Sequence, residues 1–463
     1  MNNKYIQAAT VVITIALGLS FSGCSKQDEF LDAKSDQKLI VPETLDDYQL
    51  LLNNESVFNS QADPGLPLVS SESYYVLPTT WSSLFDVVEK NAYIWAKDLY
   101  EGSLVTTRDW SNPYSQVYYA NTILDGLSDL TPSTSEIKRW NEIKGAALFY
   151  RSYAFYSLVQ AFSVPFDSAT FATDPGIPIR LSSDLNIKST RSSVKHCYDQ
   201  ILSDLEVAIS LLPTNASLKT QPSKLTANAL LARIYLSIGN YEKAYQYANE
   251  SLQINSTLTD YNTLTPTNFT ITTAFLEEDI FHRTVVPYLV MLRSRGIIDS
   301  TLYKSYATND LRRSHFFINF NGQIRFRGSY DFRNQTFSGL ANDEIYLIRA
   351  ESSARLGRVA PALEDLNTLL KTRFNNSVPY VPITAANKEE ALAVILKERE
   401  KELLYRGLQW TDLRRLNKKG NYNRTITRVI DNNTYKLVPN DARYALPIPV
   451  QEIQLSNLEQ NPR

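Results

Sequence analysis

The segment between residues 224 and 252 encodes two amphipathic helices joined by a glycine turn. Its first half places apolar side chains at helical spacing, at Leu231, Ile234, Tyr235 and Ile238. Ala232 adds a small residue to that face, which lets a neighbouring helix approach closely. Gly239 follows at the helix end, where glycine adopts the left-handed conformation without strain. The second half carries its own stripe, at Ala244, Tyr245, Ala248 and Leu252. The segment therefore predicts a helical hairpin with a seam of small residues.

The same pattern returns between residues 345 and 370. Ala350, Gly357 and Ala362 keep the register of the alanine, glycine and alanine in the first pair. Small residues around a glycine hinge are typical of the tetratricopeptide (TPR) helix pair. One such pair cannot bury its apolar face alone, so two pairs indicate stacking into a common core. The alternative is two unrelated helical hairpins.

Residues 1–23 have the composition of an export signal. Lys4 supplies positive charge, and residues 8–21 form an apolar run that is too short for a comfortable membrane span. Gly23 then precedes Cys24, an arrangement similar to a bacterial lipoprotein cleavage site. We expect Cys24 to become the acylated N-terminus and to anchor the protein in a membrane, because two or more acyl chains bind stably. The alternative is an ordinary signal peptide with a chance cysteine.

Composition narrows the possible functions. The chain has 463 residues, 43% of them hydrophobic, and can bury a large core. Its formal net charge of −2 gives no indication of nucleic-acid binding. With Cys24 in the export signal, Cys197 has no partner for an internal disulfide.

The sequence carries no recognisable catalytic or metal-binding motif. The three histidines, His196, His282 and His315, do not lie at ligand spacing from one another. A GxSxG elbow, a glycine-rich phosphate loop and an HExxH motif are all absent. A glycosidase needs two carboxylates across one bond, and nothing selects such a pair. We therefore predict a non-enzymatic protein without metal or cofactor.

Other segments carry more local predictions. Residues 53–82 are rich in proline and aromatic residues and are interpreted as a long surface excursion. Pro113 fits the first turn of a helix over Tyr114–Leu130. The four charged residues Glu398, Arg399, Glu402 and Arg406 are spaced to pair along one helix that ends at Gly407.

Residues 253–340 interrupt the helical pattern. Within them, residues 317–328 alternate around Asn321-Gly322 and predict a β-hairpin. Nearby arginines supply local positive charge, at Arg312, Arg313, Arg325 and Arg327. The region is either a structural loop pack or a ligand-binding surface.

Several segments together resemble the SusD/RagB family, which are nutrient-binding outer-membrane lipoproteins of Bacteroidetes. They are FLD and VPETLDDYQLLL (30–52), the alanine-rich helix and Val164-Pro165 (142–165), YATNDLRRSHFF (306–317), GLANDEIYLIRAESSARLG (339–357) and ALPIPVQEIQLSNLEQNPR (445–463). Arg406 and Gln409 stand where the family has Glu and Arg.

The resemblance implies a mainly α fold. It is a SusD-like, TPR-like scaffold of helical hairpins with long loop excursions and a few short β-hairpins. After a signal peptide at 1–23, the N-terminal SusD-like region spans 24–220 and the C-terminal SusD/RagB region 221–463. Both belong to one compact mature domain, with a loop-rich insertion at 253–340.

The resemblance also implies a function. The protein would be a surface-exposed, lipid-anchored component of polysaccharide utilisation. It would capture an oligosaccharide, or a peptide, and deliver it to a SusC-like TonB-dependent outer-membrane transporter. Aromatic rings on loops would stack on sugar rings. The candidate ligand-binding residues are Tyr74, Tyr75, Trp81 and Trp95. The alternatives are a surface glycan hydrolase and a periplasmic TPR adaptor that binds proteins.

Overall fold

A computed structural model describes residues 42–71, 73–101, 107–265, 275–328, 330, 335–418 and 422–463. The predicted signal peptide and Cys24 lie outside these residues. From Leu45 onward the chain forms one compact unit, and the boundary at residue 220 stays a prediction. No helix within the described ranges is both long and apolar enough to cross a membrane.

The described part of the chain is mainly helical, as predicted. Its helices are α1 Leu45–Leu52, α2 Glu55–Phe58, α3 Leu66–Val69, α4 Pro78–Ser82, α5 Val87–Tyr93, α6 Arg108–Asp129, α7 Ile137–Phe162, α8 Val194–Leu211, α9 Lys224–Ser237, α10 Tyr241–Ile254, α11 Ser300–Lys304, α12 Arg312–His315, α13 Asn342–Arg355, α14 Val359–Lys371, α15 Lys388–Glu402, α16 Leu408–Lys418 and α17 Val450–Ser456. Its strands are β1 Tyr74–Tyr75, β2 Pro175–Pro178, β3 Arg191–Ser193, β4 Asp279–Phe281, β5 Ile297–Ile298, β6 Phe317–Phe320, β7 Gln323–Phe326, β8 Leu340–Ala341, β9 Ile426–Ile430 and β10 Asn433–Leu437.

Both predicted helix pairs are confirmed. Helices α9 and α10 form the first, and α13 and α14 form the second. The hinge glycines Gly239 and Gly357 have φ values of 76° and 79°, in the left-handed region that glycine favours. The seam alanines are fully buried, at Ala232, Ala244, Ala350 and Ala362. Helix α10 packs on α13, so the two pairs stack.

A third group of helices precedes these pairs. Helix α7 packs against both α6 and α8. The helix predicted over Tyr114–Leu130, with Pro113 fitting its first turn, is wrong at its N-terminal end, because α6 begins at Arg108 and Pro113 lies inside it. Asp109 and Trp110 are buried in its first turn, and this burial extends the helix ahead of the proline.

The interpretation of residues 53–82 as a surface excursion is also wrong. Short helices interrupt the segment, and every residue of α3 is buried. Pro67 lies in the first turn of α3, and Leu66, Leu68 and Val69 of this helix enter the core.

The four charged residues predicted to pair along α15 do not pair with one another. Glu398 and Glu402 instead bind Arg312 of α12, and Arg399 binds Asp412 of α16. Helix α15 ends at Glu402, before the predicted end at Gly407. Arg406 lies in the following turn and binds Asp343, at 2.9 Å. These side chains therefore join elements that are far apart in sequence.

The strands form five antiparallel pairs within the described residues. One is the predicted hairpin, in which β6 and β7 are joined by Asn321 and Gly322 with φ values of 51° and 79°. These positive φ values fit the tight turns that Asn-Gly favours. The pairing of β1 with β5 brings Tyr75 opposite Ile297.

The C-terminal segment from residue 445 onward crosses earlier elements as an extended strap. The backbone N–H of Leu446 donates to the carbonyl of Ala161 at the end of α7. Helix α17 then begins at Val450. Asn461 returns to the same place, because its Nδ2 donates to the carbonyls of Phe162 and Leu446, both at 2.7 Å.

Candidate ligand-binding cavity

A cavity of about 710 Å³ lies beside the β6–β7 hairpin. Its volume falls within the range of roughly 300–1,000 Å³ that is usual for small-molecule sites. Three segments line it, namely residues 287–294, residues 318–328 of the hairpin and its exit, and Gln335 with Thr336. The hairpin and the other two segments belong to the loop-rich region, whereas the stacked helix pairs contribute nothing to the lining.

Two buried carboxylates hold the first wall in place. Glu89 of α5 accepts a hydrogen bond from the backbone N–H of Val290. Burial raises the pKa of Glu89 to about 7, and the Val290 N–H opposes this rise. Asp109 of α6 accepts the hydroxyl of Tyr288, a residue that lines the cavity. The wall is therefore fixed to helices that are remote in sequence.

Asp109 also fixes the neighbouring buried segment. Its Oδ1 accepts the backbone N–H groups of Gly65 and Leu66, both at 2.7 Å. Burial raises the pKa of Asp109 to about 6, although the Leu66 N–H and the Tyr288 hydroxyl oppose the rise. One carboxylate thus ties α3 to the cavity wall.

The hairpin forms the second wall. Because side chains directly opposite one another share a face, the Ile318–Arg325 and Phe320–Gln323 pairs point the same way. Phe320 lines the cavity and keeps 50% of its surface exposed. Phe326 instead stacks on Tyr405, with ring centroids 4.5 Å apart, and this contact ties the hairpin to the turn after α15.

Among the described residues, three arginines line the cavity, at Arg293, Arg325 and Arg327. Arg325 is only 8% exposed, and its Nη1 donates to the Arg293 carbonyl at 3.1 Å, joining the two walls. Its Nη2 donates to the side chain of Gln323. Burial lowers the pKa of the Arg325 guanidinium, and the hydroxyls of Tyr405 and Tyr75 oppose this. The site therefore combines half-exposed aromatic surface with guanidinium groups.

The four predicted ligand-binding aromatics are not brought together on one surface. Tyr74 and Trp95 are buried, and each donates to a backbone carbonyl, that of Val69 at 2.9 Å and that of Ser70 at 3.0 Å. Their rings pack inside the protein and offer no open face, which corrects the expectation that all four lie on a loop surface.

The other two aromatics remain accessible. Tyr75 is 44% exposed and close enough to Arg325 to affect its pKa, although it does not line the cavity. Trp81 is half-buried, with the ammonium of Lys90 4.9 Å from its ring centroid. Ligand binding by these two residues stays a prediction.

Some cavity residues had no recognised signal in the sequence. Arg325 and Arg327 belong to the positive group noted there, but Arg312 of that group is fully buried among acids and Arg313 does not line the cavity. Residues 287–294 follow no periodic pattern. Long-range bonds to α5, α6 and the hairpin itself hold them in place.

A separate acidic cluster lies in the interior. Carboxylate oxygens of Glu278, Asp343 and Glu402 lie within 4.8 Å of one another. Arg373 binds both glutamates at 2.7 Å, and Arg406 binds Asp343. Arginine side chains thus already coordinate these oxygens, and the cluster acts as a buried ionic junction.

Comparison with known proteins places the chain among relatives along most of its length. A SusD-like family model described as "Starch-binding associating with outer membrane" matches residues 29–236. The SusD family model matches residues 343–463. The SusD-like protein P2 of Formosa agariphila is 24% identical over 424 residues, covering 76% of this chain and 79% of that protein.

Solved structures share the fold. A SusD superfamily protein from Bacteroides thetaiotaomicron superposes with a TM-score of 0.72 at 23% identity, over 91% of this chain and 100% of that one. A putative sugar binding protein from Bacteroides vulgatus gives 0.71 at 22% identity, over 91% and 98%. A laminarin binding SusD-like protein gives 0.64 at 16% identity, over 90% and 98%.

Proposed function

The chain belongs to the SusD/RagB family, and from this premise we propose that it binds an oligosaccharide in the cavity beside the β6–β7 hairpin. It then delivers this ligand to a SusC-like TonB-dependent transporter. The family description, which names starch binding and the outer membrane, supports the proposal. Further support comes from the solved relatives named as sugar-binding and laminarin-binding.

The cavity is the observation that carries the proposal. Phe320 presents half of its ring surface to solvent, and Arg325 and Arg327 offer N–H donors within the same lining. Sugar rings have apolar C–H faces and polar edges, so they match an aromatic surface flanked by hydrogen-bonding groups. The cavity walls are rigid because buried helices hold them, which lowers the entropic cost of binding.

Binding without hydrolysis fits the lining better than catalysis does. Glycoside hydrolysis requires two carboxyl groups flanking the scissile bond. Among the described residues that line the cavity, none is an aspartate or a glutamate. The surface hydrolase alternative therefore has no candidate pair there.

A calorimetric titration tests ligand binding. The purified protein is titrated with a panel of oligosaccharides that includes a β-1,3-glucan hexasaccharide. We expect one class to bind, and Phe320→Ala to weaken that binding about tenfold, as loss of a stacked ring costs about 1–2 kcal/mol. Phe85→Ala is the matched control, because Phe85 is 86% exposed and lies outside the lining. Release of reducing ends by the wild type would favour the hydrolase instead.

Delivery and location need separate experiments. Affinity isolation of the wild-type protein from membranes should co-purify a large TonB-dependent β-barrel protein in about equal amount. Protease treatment of intact cells should digest a surface-exposed protein, whereas a periplasmic adaptor would be spared. Replacement of Cys24 by Ala should abolish incorporation of labelled fatty acid and release the protein from the membrane fraction, because acyl chains provide the proposed anchor.

A further inference from the structure

The most unusual residue in the cavity is Arg325. Its side chain is more than nine-tenths buried, yet it lines the cavity. Two of its nitrogens donate to Arg293 and Gln323, while its Nε makes no hydrogen bond. No aspartate or glutamate among the described residues forms an ion pair with it, in contrast to buried Arg233, Arg312 and Arg373.

Such a placement is energetically unfavourable for the empty protein. Removal of a guanidinium from water is energetically costly unless a counter-charge compensates. At Arg312 carboxylates at 2.6–2.9 Å meet this cost, whereas buried Arg414 and Arg428 each donate to two or three backbone carbonyls instead. At Arg325 the described neighbours are neutral or aromatic, namely Gln323, Phe320, Tyr405 and a backbone carbonyl. The missing counter-charge is best supplied from the cavity side.

The rest of the lining points to the same chemistry. Arg293 and Arg327 add two more guanidinium groups, and the described lining contains no acidic side chain. Guanidinium groups recognise oxyanions well, because their planar N–H donors match a carboxylate or a sulfate. A neutral sugar would supply no counter-charge to Arg325.

We propose that the cavity selects glycans that carry oxyanions, as uronic acid carboxylates or sulfate esters, and that Arg325 and Arg327 bind the charged group while Phe320 contacts the ring. This inference rests on the proposed function, because it names the class of ligand for the same cavity. Carboxylate and sulfate share the chemistry that arginine recognises, so separate probes are required to distinguish them.

The experiment is a calorimetric titration of the full-length lipoprotein in detergent with matched pairs of probes. One pair is a galacturonic acid hexasaccharide and its methyl ester. The other is a sulfated galactan hexasaccharide and its desulfated form, and a β-1,3-glucan hexasaccharide is the neutral reference. We expect one anionic probe to bind at least about tenfold more tightly than its neutral partner, which is the size of one charge-assisted hydrogen bond. This preference should shrink as salt rises.

Variants locate the effect. Arg327→Gln should remove most of the preference for the anionic probe, while binding of the neutral partner changes little. Arg325→Gln should do the same, and thermal melts will show whether loss of its bond to the Arg293 carbonyl disturbs the fold. Arg313→Gln is the matched control, because it removes the same charge near the hairpin but outside the lining.

Each outcome is decisive. Equal affinity for the charged and neutral members of both pairs overturns the inference, as does an anionic preference that survives Arg327→Gln in a folded protein. Tight binding of the β-1,3-glucan alone overturns the inference but leaves the proposed function intact. If no oligosaccharide binds, the proposed function itself fails.

Discussion

Arg312 shows how individual residues hold this loop-rich protein together. Its side chain is fully buried and binds Asp310 at 2.7 Å, Glu398 at 2.6 Å and Glu402 at 2.9 Å. Glu402 continues the chain of contacts to Arg373. Because all these charges are buried, removal of one member leaves the others uncompensated.

Replacement of Arg312 by Gln should therefore destabilise the protein by about 3–5 kcal/mol, since it leaves buried carboxylates without their cation. Urea unfolding measures the loss. Arg358→Gln is the control, because Arg358 forms an exposed pair with Glu242 at 3.2 Å and should cost less than about 1 kcal/mol. Equal effects of the two substitutions would contradict the importance of burial.

Glu89 predicts a pH dependence with a definite sign. Its pKa is about 7 in the folded protein, because burial raises it from an ordinary value of 4.5. Between pH 4.5 and 7 the folded state therefore binds more protons than the unfolded state, so this residue lowers stability as pH rises. The limiting slope is about 1.4 kcal/mol per pH unit for one proton.

The test compares wild type with Glu89→Gln, whose amide oxygen still accepts the Val290 N–H. Urea unfolding at several pH values between 4.5 and 7.5 gives the difference in free energy. We expect the wild type to lose stability relative to the variant as pH rises through this window. Asp109 and Glu278, whose pKa values are about 6 and about 7, titrate in both proteins and cancel from the difference. A difference independent of pH would refute the assignment.

At the scale of elements, the hinge glycines govern the helix pairs. Gly357 has a φ of 79°, and a Cβ added there would meet nothing within 4 Å. The need for glycine is thus conformational rather than steric. A substitution at this position isolates backbone strain from packing.

Gly357→Ala should cost about 1–2 kcal/mol, because an L side chain is disfavoured in the left-handed region. Gly357→Asn should cost less, because asparagine tolerates this conformation better. Thermal denaturation of both variants checks the order. An alanine variant as stable as the asparagine variant would mean that the hinge relaxes to another conformation.

These elements also show what the sequence can predict. The helix pairs were predictable because the seam alanines and the hinge glycines are local signals, and Asn321-Gly322 likewise predicts its hairpin. The first cavity wall was not predictable from the sequence. Asp109 and Glu89 hold Tyr288 and Val290 in place, and they lie 179 and 201 residues away along the chain.

The placement of the predicted ligand-binding aromatics depends on long-range contacts in the same way. Tyr74 and Tyr75 are neighbours on one strand, yet only the second is exposed, because successive side chains point to opposite faces. Aromatic residue type alone could not separate a core ring from a surface ring. The pairing of β1 with β5, which decides the faces, joins residues far apart in sequence.

At the scale of the whole molecule, the C-terminal strap links elements that are far apart in the sequence. Tyr100 donates to the carbonyl of Pro447 at 2.7 Å, and Arg191 donates to the side chain of Asn461 at 2.8 Å. Asn461 itself is 3% exposed and serves two carbonyls, those of Phe162 and Leu446. The last residues thus connect the end of α7 with the β2–β3 region.

This arrangement predicts that Asn461→Ala destabilises the whole protein rather than only releasing its tail. Loss of the side chain leaves two buried carbonyls unsatisfied, and each costs about 1–3 kcal/mol. Urea unfolding should therefore remain a single transition with its midpoint shifted downward. Gln454→Ala removes a similar amide from an exposed position on α17, and this variant should unfold at nearly the wild-type midpoint.

Limited proteolysis distinguishes a strap that folds with the protein from a tail that is merely attached. A merely attached tail would be trimmed from Asn461→Ala while the unfolding midpoint stayed at the wild-type value. A shifted midpoint means that the strap folds together with the helices it crosses. Helix α7, which the strap contacts, packs against α6, and Asp109 of α6 holds a wall of the cavity. The strap would then help to stabilise the elements that carry the cavity.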